Sequence, residues 1–97
     1  MQSISREKLL KKLNMHIKKS IQLQIEEDSG ININIVLKEF SYCLEKDIIK
    51  FKDIFNKNII AFNLNNVNFI GIDNEKISCI LNDQKDTIIK ISEKRFE

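Results

Sequence analysis

The sequence predicts a small α+β domain: an N-terminal amphipathic helix over residues 3–27, then an antiparallel β-meander or small barrel over 31–92. Three observations carry this. Leu9, Leu10, Leu13, Ile17, Ile21 and Ile25 recur at helical spacing. Short apolar runs between Ile59 and Ile91 alternate with Asn- and Asp-rich breaks at about nine-residue intervals, the rhythm of a meander. The connections are too short to hold crossover helices, so the strands pair antiparallel.

The helix comes first. At 100° per residue its six apolar side chains share one face, and Lys8, Lys11, Lys12, Lys18 and Lys19 fall on the other. Ser3 or Ser5 serves as N-cap, with Glu7 in the first turn. Gly30 is placed to take a left-handed conformation just after the end. Over this span the charges oppose the helix dipole, with lysines early and Glu26, Glu27 and Asp28 late. The apolar face must therefore hold the helix. His16, the only histidine, falls at the edge of that face and reads as a boundary side chain.

Ile31 to Ile35 alternates apolar and Asn, so it begins as a strand. Residues 37–55 satisfy two periods. Leu37, Leu44, Ile48, Phe51 and Phe55 recur at helical spacing, whereas Phe40, Tyr42 and Leu44 alternate. Strands broken at Glu45-Lys46-Asp47 and at Phe55–Asn58 keep the nine-residue rhythm, and this is the preferred reading. The alternative is two helices packed on a four-stranded antiparallel sheet.

Four strands follow, over residues 59–64, 67–72, 77–81 and 87–91. They are rich in Ile, Val, Phe and Thr, which pack well on a pleated surface. Phe69-Ile70 and Ile88-Ile89 place apolar groups on both faces, so these strands are covered twice or meet another chain. Gly71 marks a bulge or a close approach. The tail is charged apart from Phe96, which is available to pin it to the core.

With 97 residues the chain makes a single domain, 1–97. One helix followed by about five short strands is similar in order to the Sm-like RNA-binding rings. That family's strand glycine and aspartate signatures are not found here, so no binding residue is carried over. The 19 Ile, 14 Lys and 11 Asn match the codon bias of an AT-rich genome and are not read as function. Cys43 and Cys79 lie inside apolar runs without CxxC spacing and read as free thiols of a reducing cytoplasm. No apolar run suits a signal peptide or a membrane span, which points to a cytoplasmic protein.

Catalysis finds little support. One histidine and no nucleophile elbow leave no activated Ser or Cys, and two glycines 41 residues apart make no phosphate cradle. No metal, cofactor or catalytic residue is assigned. The expectation is a non-enzymatic binding or regulatory protein that acts through protein–protein contact and self-association. A small inhibitor or regulator from a mobile element fits the size. The alternative is a nucleic-acid binder using Lys8, Lys11, Lys12, Lys18 and Lys19 on phosphates. The net charge of +2 gives that alternative little weight, and no aromatic residue interleaves with the lysines for base stacking.

Overall fold

The computed structural model describes residues 1–94. Strand β1 (Gln2–Ser3) leads into helix α1 (Arg6–Met15). Strands β2 (Ile21–Glu26) and β3 (Asn32–Leu37) form a hairpin, and β4 (Ser41–Glu45), β5 (Ile48–Lys52) and β6 (Asn58–Asn63) form a meander. A single 3-10 turn at Leu64–Asn66 precedes β7 (Val67–Asp73), β8 (Lys76–Leu81) and β9 (Ile88–Glu93). Every ladder is antiparallel, in two open sheets rather than one closed barrel. The larger sheet runs β1-β7-β8-β9-β2-β3 and the smaller β4-β5-β6. The fold is thus mostly sheet, with one α-helix among the described residues.

The helix is ten residues long, not the span 3–27, and the remainder of that span is β2. Ile21, Leu23 and Ile25 explain the difference. As a helix, Leu23 would point away from the apolar stripe; as a strand, all three share one face. Ile21 and Leu23 are fully buried in that strand. The turn between helix and strand forms at Lys18, whose φ is 70°, and two backbone bonds hold it. Lys18 N donates to Phe40 O at 2.7 Å and Phe40 N to Lys19 O at 2.9 Å. Ser5 is the N-cap, its Oγ accepting from Lys8 N at 3.1 Å. With the helix ending at Met15, Glu7 in the first turn and Lys12 in the last now agree with the dipole. The supposed charge conflict came from the wrong boundary. Gly30 does adopt a left-handed φ of 97°, but it closes the β2–β3 hairpin instead of a helix.

Residues 37–55 form β4 and β5, so the alternating period prevails and the second helix does not form. The described residues form nine strands, and β1 and β2 lie outside the span from residue 31 onward where strands were expected. The four later strands occur close to their predicted spans, but not in one sheet. β6 pairs with β5, whereas β7, β8 and β9 continue the larger sheet. The chain changes sheets at Leu64–Asn66, where Asn63 Oδ1 accepts from Asn65 N at 2.9 Å.

One apolar cluster unites these elements. The larger sheet contributes Ile21, Leu23, Ile77, Cys79, Ile89 and Ile91; the smaller contributes Ile49, Phe51 and Phe62; the helix contributes Leu9 and Leu13. A ten-residue helix is marginal in water by itself, so these two leucines anchor it. Phe51 sits between Phe40 and Phe62, with ring centroids 5.4 and 6.0 Å away, both edge-on. Polar ties fix the helix to the smaller sheet. Tyr42 donates its hydroxyl to Asn14 Oδ1 at 2.7 Å, and Arg6 Nη2 donates to Asp47 Oδ1 at 2.7 Å.

The doubly apolar strands have a partial explanation. Phe69, Ile80 and Ile88 lie side by side on the outer face of the larger sheet, each half-buried. Met1 folds over the same face. A Cβ at Gly71 would collide with the Met1 sulfur and stand 2.6 Å from the Phe69 ring, so the glycine marks a close side-chain approach. The role expected of Phe96 lies outside the described residues.

Candidate functional site

Two loops of this protein share one design. In Asp53–Lys57, Asp53 Oδ1 accepts from Phe55 N at 2.9 Å and from Lys57 N at 3.1 Å. In Asp83–Thr87, Asp83 Oδ1 accepts from Lys85 N at 3.1 Å and from Thr87 N at 3.0 Å. The fourth residue of each, Asn56 and Asp86, is left-handed, with φ of 61° and 49°. The aspartate supplies the local acceptor that such turns need. The two loops differ at the tip. The second presents Gln84 and Lys85, as solvent favours. The first presents Ile54 and Phe55, which remain 51% and 76% exposed. The turn geometry therefore does not require apolar tip residues.

Beside that tip runs a groove of about 380 Å³, lined by Ile17, Lys18, Glu39, Phe40, Asp53 and Ile54 among others. Ile17, counted on the helix stripe by sequence, is exposed in the turn after α1. Phe40 makes the floor rigid, since its ring is fully buried against Phe51 and its backbone pairs with Lys18 and Lys19. The groove thus joins exposed apolar side chains, a lysine and two carboxylates on a stiff base.

The five lysines singled out by sequence do not share one helix face. Lys8, Lys11 and Lys12 belong to α1, and Lys18 and Lys19 to the turn that follows. Lys18 lines the apolar groove. Lys12 and Lys19 line a second groove, of about 180 Å³, with Met15, His16, Glu75 and Glu93. Carboxylates therefore share a groove with three of the five, Lys12, Lys18 and Lys19. His16 caps the helix C-terminus and lies between this groove and a neighbouring one of about 350 Å³ that contains Ser92 and Lys76. Its Nδ1 is buried without a hydrogen-bond partner. No group of three His, Cys, Asp or Glu is arranged to hold a metal among the described residues.

Titration behaviour follows local contacts. The Arg6 guanidinium, helped by Asn65, holds the Asp47 carboxyl below its usual range. The Thr87 hydroxyl and N–H do the same for Asp83. Burial pushes the Cys79 thiol up to about 12, so it carries no thiolate near neutrality. Cys43 is also a free thiol but half-buried. No described helix is long and apolar enough to cross a membrane.

The chain matches no family model, no curated protein and no solved structure, so its surface is interpreted from its own geometry. Sequence reasoning singled out the lysines and passed over Ile54 and Phe55. A signal was present: Asp53-x-x-Asn56 and Asp83-x-x-Asp86 repeat the same turn chemistry, and only one carries an apolar pair between its polar residues.

Proposed function

We propose that this chain is a small binding protein that acts through contact with another protein, with the Ile54–Phe55 hairpin tip as the anchor. The observation that carries this is the contrast between two loops of like backbone. One spends its exposed tip on Gln and Lys, the other on Ile and Phe. An aromatic side chain held in water by a stiff turn loses little entropy when it enters a partner's pocket, and such anchors dominate binding energy. Lys18, Glu39 and Asp53 around the groove supply a polar rim. The reading includes self-association and requires no catalytic step.

The test is affinity capture from the cells that make this protein, run with and without nuclease, using the natural chain and the Phe55→Ser variant. A protein retained by the natural chain and lost with Phe55→Ser supports the reading. Reversal of Lys8 and Lys11 to Glu should leave that capture unchanged. If both chains retain the same proteins, the tip is not the anchor. If nucleic acid dominates the recovery, and binding weakens steeply with salt, the lysines are the contact and the reading fails.

A further inference from the structure

We infer that a second copy of this chain pairs antiparallel along the free edge of β3, joining two six-stranded sheets across a two-fold axis at Asn34. The inference rests on the self-association part of the proposed function and assigns it a surface separate from the hairpin tip.

Strand edges expose unpaired backbone donors and acceptors, and natural proteins usually guard them with charge, proline, bulges or short length. Four edges are free here. β1 has two residues. β4 ends at Glu45, next to Lys46 in the turn. β6 meets its neighbour through a register shift at Phe51/Lys52. β3 has none of these guards. It is six residues long, and its ladder with β2 runs without a shift from Ile21↔Leu37 to Glu26↔Asn32. Residues 31–37 include no charged side chain and no proline. Ile31, Ile33 and Val36 stay 48%, 46% and 43% exposed.

The strand is also complementary to itself. Rotation about Asn34 sets Ile33 against Ile35 and Ile31 against Leu37 of the second copy. Ile33, Ile35 and Leu37 already share the core face with Ile25, Leu23 and Ile21, so the pairing extends that apolar face across the axis. On the opposite face Asn34, whose Oδ1 already accepts from Gln22 Nε2 at 3.5 Å, meets its own counterpart, and its amide N–H groups and second oxygen lone pair are available to the facing amide. Beyond the strand, Lys38 comes level with Gly30 and Glu39 with Ser29, so like charges do not meet. A two-fold contact of this kind closes on itself and leaves no growing end.

Sedimentation velocity on the full chain tests this, at concentrations up to about 0.2 mM because an interface of this size falls in the weak class. The natural chain should reach twice its 11.4 kDa mass. Asn34 is exposed, so Asn34→Lys and Asn34→Asp should fold normally, as circular dichroism can verify. Each should sediment as a monomer, since like charges then face across the axis. An equimolar mixture of the two should recover the doubled mass through the opposite pair. A natural chain that stays monomeric overturns the inference, as does an undiminished dimer of Asn34→Lys or a mixture that stays monomeric. Phe55→Ser should retain the doubled mass. If it becomes monomeric instead, the copies meet through the hairpin tip, and this inference fails while the reading of the tip survives.

Discussion

Phe51 and Phe55 stand four residues apart, the spacing that would align them on one helix face. The structure separates them completely: Phe51 is fully buried on β5, and Phe55 is 76% exposed at the hairpin tip. Truncating each to Ala should give very different costs. Phe51→Ala removes a ring packed edge-on against Phe40 and Phe62 and leaves a cavity where the two sheets and the helix share one cluster. Deletions of this kind cost about 3–5 kcal/mol. Set against a total of about 5–15 kcal/mol for a typical domain, that is a large share of the folding free energy. Phe55→Ala removes a group already in water and should change stability by no more than about 0.5 kcal/mol. Urea titration followed by far-ultraviolet circular dichroism measures both. With a slope of about 2 kcal/mol per molar, Phe51→Ala should lower the midpoint by about 2 M. Phe55→Ala should leave it nearly in place. Equal losses of more than about 2 kcal/mol from both variants would mean that the two rings share a buried face, and the strand assignment of 48–52 would be refuted.

Other outcomes follow from the same structure. Under native conditions a disulfide reagent should label Cys43 readily and Cys79 only after unfolding, because the buried Cys79 thiol titrates near 12; rapid labelling of two thiols would contradict that burial. Asp83 has a depressed folded pKa, so its contribution is present above the ordinary carboxylate range and disappears as pH falls through the folded value. Asp83→Asn should therefore be less stable than the natural chain at neutrality, and the gap should close in acid; a gap independent of pH would show that the charge is not the cause. Glu75 occupies a left-handed position, φ 66°, in the two-residue turn between β7 and β8. Glu75→Gly should raise stability by about 0.5–1 kcal/mol, measured by thermal melting, since glycine relieves that conformation without steric cost.

Much of the local structure was legible in residue order. The strands at 58–63, 67–73, 76–81 and 88–93 follow from β-branched runs bounded by Asn and Asp, and the N-cap was narrowed to Ser3 or Ser5, of which the structure uses Ser5. Residues 21–26 were misread because Ile17, Ile21 and Ile25 satisfy a helical period as well as a strand period. Only Leu23, buried beside Ile21, separates the two readings. The lysines were legible as charge but not as a surface, because the chain turns at Lys18 and carries Lys19 toward Glu75 and Glu93.

The sequence by itself determined the start of the helix and the short strands from residue 31 onward, because these depend on neighbours along the chain. Tertiary structure decided which sheet each strand joined. β6 and β7 are consecutive and alike in composition, yet the 3-10 turn at Leu64–Asn66 sends them into different sheets. It also decided that Phe51 lies in the core while Phe55 faces water. Burial depends on what long-range packing brings to each side chain, and neither residue type nor spacing contains that information.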